Sequence, residues 1–390
     1  MLKLLHIIPS MSPSYGGPSH TLQQLARALK GKGVSVTILT THHKKETTFK
    51  DQNAEIVSIP RLTDFIFYAP LMGPWLKKNI FGFDIVHIHS LFSFPAFIGG
   101  YYARTFKKPY VIRPFGTLDA ESLRHHPIRK KIYFELFEKK NLQGAQWIHC
   151  TSRSEEEALR HLGLRIPTKL IPMGLILNLD NDKTSQARDR LDPQTFGKKK
   201  LLFLGRIHPR KGLDFLMEVI SKLKQRRSDF VLLLAGSGEE KYIKTLQQKI
   251  EKENIKDHII WLGEISDRLK KRELLKQADL FLLPSHRESF GLAVVEAMEM
   301  GCPVLISDQV ALAADIQEAK AGIVLPLSTE QFSNVICDIL NNPKARDLFG
   351  SQGIKLVKEK FDLGKNVENL IGEYQNILKN NSSLCPINLK

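Results

Sequence analysis

Short apolar runs rich in β-branched residues alternate with stretches of helical period along this chain, a pattern that calls for parallel sheets covered by helices on both faces. In the first half, Leu2 to Ile8, Val34 to Leu39, Glu55 to Ile59, Asp84 to His89, Tyr110 to Ile112 and Trp147 to Cys150 predict strands. The alternation restarts with Lys200 to Leu204, Phe230 to Ala235, His258 to Leu262, Leu280 to Leu283, Val304 to Ile306 and Ile323 to Leu325. Between the two series, Asn178 to Lys200 is polar and charged and follows neither period. A chain of 390 residues also exceeds one ordinary core. The expectation is an α/β protein of two doubly wound domains, at 1–177 and 200–360, joined by a linker at 178–199. A C-terminal helix is expected over 361–379, ahead of a polar tail at 380–390.

Open α/β sheets bind ligands outside the carboxyl ends of their strands, so the loops there are where chemistry is sought. The apolar run Leu280 to Pro284 leads into Glu288-Ser-Phe290-Gly291-Leu292-Ala-Val-Val-Glu296, and Gly301 and Pro303 supply helix-stop signals behind it. Glu288 then falls in a strand-end loop, and Glu296 about a turn into the following helix. The helix start between them, at Phe290 to Ala293, offers backbone N–H groups and a positive dipole end to an anion, and Gly291 lets it come close. Two glutamates at this spacing also occur on solvated helix faces, but the strand before them and the Gly-x-Pro exit behind favour a ligand site. Gly205-Arg206 to Lys211-Gly212 follows the first strand of the second series, and two fixed cations in such a loop suit a diphosphate. Arg210 between them reads as surface charge.

The first half holds further candidates. Gly16-Gly17 lies between the first strand and a helix carrying Leu22, Leu25, Ala26 and Leu29, where a glycine pair admits a ligand or simply makes a tight turn. His87 and His89 share one face of a strand by its period of two, with no third ligand at a recognisable spacing, so no metal is expected. His87 reads as a hydrogen-bonded structural residue; His89, nearer the strand end, is a site candidate. Ser152/Glu155 and Ser154/Glu157 have capping-box spacing, which is helix-start chemistry.

The two second-half motifs resemble those of retaining glycosyltransferase family 4, in the forms G-R-x-x-x-x-K-G and E-x-F-G-x-x-x-x-E-A-M-x-x-G-x-P, with every fixed position filled here. The resemblance covers nearly the whole chain. It implies the GT-B fold, two Rossmann-like domains facing a cleft, with a nucleotide-diphosphate sugar held mainly by the second and a glycan or lipid-linked acceptor by the first. It implies donor contacts from Gly16 and Gly17 across the cleft, from Gly236 in the turn Ala235 to Gly238, and from the backbone of Trp261 to Ile265 at the base. Glu288 would lie near the donor sugar and Glu296 on the ribose hydroxyls, with Arg206, Lys211 and the amides of Gly291 and Leu292 on the leaving diphosphate. No metal or cofactor is then required, and Asp180-Asn181-Asp182, which imitates the metal motif of other sugar transferases, reads as solvated turn. Many members carry His where this chain has Phe115, so the acceptor side departs from the pattern there. The C-terminal helix would cross back onto the first domain. A sugar-nucleotide epimerase and a non-catalytic sugar-nucleotide or membrane scaffold are the alternatives.

Composition narrows the setting. No run approaches a membrane span, and the opening Met1 to Pro9 reads as a strand, not a secretory leader. Cys150, Cys302, Cys337 and Cys385 are scattered, which favours a reducing cytoplasm. Of the formal charge of +16, residues 1–165 hold 23 Lys and Arg against 12 Asp and Glu, or +11. Much of it lies in Arg124 to Lys140, where Arg129, Lys130, Lys131, Lys139 and Lys140 interleave with Ile132, Tyr133, Phe134, Leu136 and Phe137. That segment suits an anionic membrane surface or a core helix with a solvated basic face, and a peripheral place on the cytoplasmic membrane is one expectation. No base-stacking or groove-reading motif accompanies the charge, so nucleic acid is not expected.

Overall fold

The computed structural model describes residues 1–12, 15, 17–43, 51–118, 127–177 and 195–383. The chain divides into two compact units, Met1–Ile176 with Leu363–Lys390, and Leu177–Asp362. Most of the expected linker, 178–194, with Asp180 to Asp182, lies outside the described residues, as do Gly16 and the end of the tail.

The first unit is built on seven parallel strands in the order β3-β2-β1-β4-β5-β6-β7. They are β1 Lys3–Ser10, β2 Ser35–His42, β3 Glu55–Pro60, β4 Ile85–His89, β5 Tyr110–Arg113, β6 Ile148–Cys150 and β7 Thr168–Leu170. Six of them were legible as apolar runs. The short edge strand β7 was not, because its Thr-Lys-Leu sequence is only half buried and carries no apolar run. Period two sorts each strand onto two cores. Leu5, Ile7, Val86, Ile88, Tyr110, Ile112 and Ile148 face one way, against helices Met72–Asn79 and Phe94–Thr105. Leu4, Ile8, Ile85, Val111 and Trp147 face the other, against helices Gly17–Gly31 and Leu363–Ser383.

Leu363–Ser383 belongs to this sheet by its own pattern. Leu363, Val367, Leu370, Tyr374 and Ile377 recur at intervals of three and four, and all are buried in that core. At about 1.5–3 kcal/mol for each large apolar side chain buried, this stripe is worth on the order of 10 kcal/mol. The amide of Leu363 donates to the carbonyl of Leu175 at 2.9 Å, joining the chain's return to its point of departure.

The second unit repeats the scheme with six parallel strands in the order β10-β9-β8-β11-β12-β13. These are β8 Lys199–Leu204, β9 Phe230–Ala235, β10 Ile259–Gly263, β11 Leu280–Leu283, β12 Val304–Ser307 and β13 Ile323–Leu325. Strand order reverses between β8 and β11, the topological switch point at which such sheets bind ligands. The loops after those two strands carry the two second-half motifs.

Candidate functional site

In the second unit, glycine brings the strand-end loops into close contact. A Cβ on Gly236 would lie 1.8 Å from the carbonyl oxygen of Gly205, and one on Gly212 would lie 1.9 Å from that of Pro284. Neither site can take a side chain, and both have positive φ, at 149° and 68°. The second contact sets the turn Pro209–Lys211 against the end of β11, where the amide of His286 donates to the carbonyl of Arg210 at 2.9 Å. Lys211 Nζ then donates to the Glu288 carboxylate, both side chains being about four-fifths buried. Glu288 is fixed from the far side as well, its amide donating to Gln309 at 3.2 Å and its carbonyl accepting from Ala311 at 2.9 Å. Sequence spacing placed Lys211 and Glu288 in one crevice; the structure makes them an ion pair.

Gly291 caps the helix Leu292–Glu299 at φ 97°, with no side-chain cap bond among the described residues. Phe290 is buried against Phe361, with ring centroids 5.8 Å apart, so only its backbone faces outward. Arg206 is exposed at the end of β8 and has no ion-pair partner among the described residues. It crowds His208, whose pKa burial and then Arg206 and Arg210 lower. The backbone continues the ladder beyond the strands, with Gly205 donating to Ala235 at 2.9 Å and Gly236 to Gly263 at 2.7 Å, and Ile265 is half buried two residues further on. Glu296 accepts from Lys271 Nζ at 2.5 Å, a partner that sequence spacing did not suggest.

In the first unit the site expectations resolve differently. Gly17 is exposed at the start of its helix. His89 is sealed in the sheet and bonded to His6, Nδ1 of His6 lying 2.8 Å from Nε2 of His89. The register of β1 against β4 pairs His6 with His87 and so supplies the third histidine that local spacing did not reveal. Nitrogens of His6, His87 and His89 all lie within 4.8 Å of one another. The set nevertheless suits a cation poorly. His6 and His89 each spend a nitrogen on the other, and His87 stacks on His89 at 4.3 Å and 26°, so their in-plane lone pairs run nearly parallel instead of converging. The buried Arg113 guanidinium adds a positive charge beside them.

This is a neutral network. His87 Nδ1 meets the Tyr374 hydroxyl at 2.6 Å, and His149 Nε2 donates to the carbonyl of Ile171 at 2.8 Å. Arg113 stacks under Phe115 with its Cζ 4.3 Å from the ring centroid, so the aromatic that replaces the frequent histidine has a cation as its partner. Glu155 holds the adjoining loop. Its carboxylate accepts from the amide of Gly116 at 2.5 Å and from the amide of Thr151 at 2.7 Å, instead of closing a capping box. Ser152 is the N-cap, accepting from Glu155 N at 3.4 Å, and Ser154 lies inside the helix Arg153–His161.

The basic segment divides its residues between two faces. It runs as helix Pro127–Tyr133, a π-turn Phe134–Glu138 and helix Lys139–Gln143. Tyr133 and Phe137 turn inward onto Phe92 and Phe97. Ile128, Ile132 and Leu136 point to solvent at 74%, 55% and 58% exposure. Arg129, Lys131 and Lys140 are exposed with them. Beneath, Glu138 accepts from the amide of Phe92 at 2.6 Å, and burial pushes its carboxyl up to about 7.

With this geometry in hand, the chain can be set beside known proteins. The family description Glycosyltransferase Family 4 matches residues 15–179, and Glycosyl transferases group 1 matches 188–356. The chain belongs to glycosyltransferase family 4. It is 25% identical over 328 residues to the GDP-mannose:cellobiosyl-diphosphopolyprenol alpha-mannosyltransferase of Komagataeibacter xylinus, covering 83% of this chain and 80% of that one. Sucrose-phosphate synthase from Thermosynechococcus elongatus superposes with a TM-score of 0.79 at 20% identity, covering 97% of this chain and all of that one. HepE of Anabaena in complex with UDP and glucose gives 0.78 at 17% identity, covering 96% of this chain and all of that one. The fold is therefore GT-B, and the family 4 chain is a glycosyltransferase.

The histidine network sets an acid limit on stability. Burial holds His87, His89 and His149 well below their ordinary value, and it lowers His6 to about 3, with Arg113 adding to the shift. Below pH ~6.5 the unfolded chain takes up protons that the folded one refuses, so stability falls with pH by up to about 1.4 kcal/mol per unit for each histidine. Glu138, raised to about 7, acts oppositely, since its contribution is fully present below its unfolded value and is lost as pH rises through 7. Four histidines outweigh one carboxyl, and melting temperature is expected to drop steeply between pH 7 and 5.5. His149→Asn should shallow that slope by about one proton. A flat profile over this range would refute the neutral network.

Proposed function

We propose that this protein transfers a sugar, with retention of anomeric configuration and without a metal, from a nucleotide-diphosphate sugar to a membrane-borne acceptor. The observation that carries the proposal is the Lys211–Glu288 pair beside the uncapped helix start at Gly291. Breaking the anomeric C–O bond leaves negative charge on the departing diphosphate. Lys211, Arg206 and the amides of Gly291 and Leu292 are preorganised to meet that charge, so little reorganisation is needed as the bond breaks. Lys211 has three N–H donors and shares them between Glu288 and a phosphate oxygen. Glu288, held by Lys211 and the Gln309–Ala311 backbone, presents its remaining acceptor capacity to the donor sugar.

The acceptor side rests on the first unit's exposed basic and aliphatic stripe. No described helix is long and apolar enough to cross a membrane. Ile128, Ile132 and Leu136, ringed by Arg129, Lys131 and Lys140, instead form an apolar face with cationic flanks, the pattern of a helix that lies in a bilayer interface. The relative from Komagataeibacter xylinus is named for a diphosphopolyprenol acceptor, which supports a lipid-linked acceptor here.

The donor is found first, by screening UDP- and GDP-sugars for thermal stabilisation, since a ligand at ~100 times its Kd adds about 2.7 kcal/mol. With that donor, Glu288→Ala or Lys211→Ala is expected to lower kcat by about 100-fold or more while the protein stays folded, as loss of preorganised charge does. Near-normal turnover in either folded variant would overturn the assignment. Turnover is expected to survive EDTA; complete loss, restored by magnesium or manganese, would show that a metal carries the diphosphate charge. In sedimentation assays the protein is expected to bind anionic but not neutral vesicles, because each cation near the surface contributes about 1 kcal/mol. Salt should release it, and Arg129, Lys131 and Lys140 changed together to Ser should abolish binding. Equal indifference to both vesicle types would point to a soluble acceptor.

A further inference from the structure

Glu296 is the second glutamate of the motif, and its neighbour Lys271 has no place in the motif. Lys271 lies on the helix Arg268–Gln277, whose N-cap Asp267 accepts from the amides of Leu269 and Lys270 at 2.8 and 3.3 Å. Its Nζ donates to Oε1 of Glu296 at 2.5 Å, with side chains only 24% and 14% exposed. One residue on, Arg272 Nη1 donates to Oε1 of Glu299 at 2.9 Å, so two ion pairs join the same two helices. The second pair is a staple between helices. The first ends on the residue that the proposed function assigns to the ribose.

We infer that Lys271 is a positioning residue that orients Glu296 for the ribose hydroxyls of the donor. This rests on the ribose reading of Glu296. A glutamate in the middle of a helix has free torsions, and a carboxylate that must accept from a diol has to be aimed. Lys271 does this, because its charge-assisted bond to Oε1 fixes the carboxylate and leaves Oε2 to accept from the diol. The pair is also less screened than a surface pair, so its loss is felt at the site. Without Lys271 the carboxylate would sample several rotamers, and ribose contacts would be made by a fraction of the molecules.

The test compares the ribonucleotide donor with its 2′-deoxy and 3′-deoxy analogues, measuring kcat and KM. Lys271→Ala is expected to raise KM for the ribonucleotide donor about tenfold, with kcat changed less than about threefold, the signature of lost uniform binding. The preference for the ribo donor over the deoxy donors should shrink by a similar factor, and Lys271→Arg should restore most of it. Arg272→Ala, which breaks the neighbouring pair, should cost stability alone and leave the ribo-to-deoxy ratio unchanged. In the background of Glu296→Ala, removing Lys271 should have no further effect on that ratio. If Glu296→Ala abolishes ribose discrimination while Lys271→Ala and Lys271→Gln both retain it, Lys271 is only a staple and the inference fails. If Glu296→Ala itself leaves discrimination intact, the ribose assignment fails and the inference with it.

Discussion

Parallel strands buried on both faces ordinarily present unbroken aliphatic side chains, yet one face of the first sheet carries His6, His87, His89, His149 and Arg113. That face must be sealed, and the C-terminal helix seals it and partners one of its histidines. Its apolar stripe joins the core around Leu4, Ile8 and Val111, and Tyr374 brings a hydroxyl to His87. The first unit is therefore incomplete until residues at the far end of the chain have returned, and the second unit is inserted between Ile176 and Leu363. Such long-range closure is entropically expensive and slow, so the second unit, continuous in sequence, is the one equipped to form early.

The second unit shows how strand-end loops are drawn together by backbone contact. Contacts at Gly212 and Gly236 that no side chain could survive draw the loops after β8, β9 and β11 together. The Lys211–Glu288 pair then links two segments separated by more than 70 residues of chain. About four-fifths buried, the pair has lost part of its hydration, and removing one partner leaves the other charge poorly solvated. The diphosphate of the proposed donor would offset that cost by giving Lys211 a second acceptor. The same logic holds at Glu296, where Lys271 supplies the counter-charge in advance.

What could be read from the sequence follows the range of the interactions involved. Strands of the second series were legible almost to the residue because buried parallel strands are continuous apolar runs, and the glutamate motif was legible because helix start, glycine and stop all lie within one segment. His6 was missed because its partnership with His87 is a matter of register between strands that are distant in sequence. Lys271 was missed for the same reason, sitting on a different helix from its carboxylate. Glu155 misled by local spacing, since its carboxylate bonds Gly116 instead of closing a cap. In the basic segment Tyr133 and Phe137 pack inward while Ile128, Ile132 and Leu136 stay exposed, a division between two four-residue series whose tertiary partners, Phe92 and Phe97, lie far away in sequence.

The lopsided charge now has a structural account. In the second unit several cations are paired internally: Lys222 and Arg226 on Glu330, Arg227 on Asp229, Lys249 on Glu218, Arg272 on Glu299 and Lys360 on Asp315. In the basic segment of the first unit, Lys139 pairs with Glu135 at 2.8 Å, whereas Arg129, Lys131 and Lys140 meet no acid among the described residues. Neighbouring unpaired charges sum their fields, whereas paired ones cancel within a few ångströms. The first unit therefore projects a positive potential from the very surface that exposes Ile128, Ile132 and Leu136. Charge alone would bring that surface to any polyanion. A bilayer interface would also cover the aliphatic stripe, at about 25 cal/mol for each Å² taken out of water, which is what the proposed membrane-borne acceptor calls for.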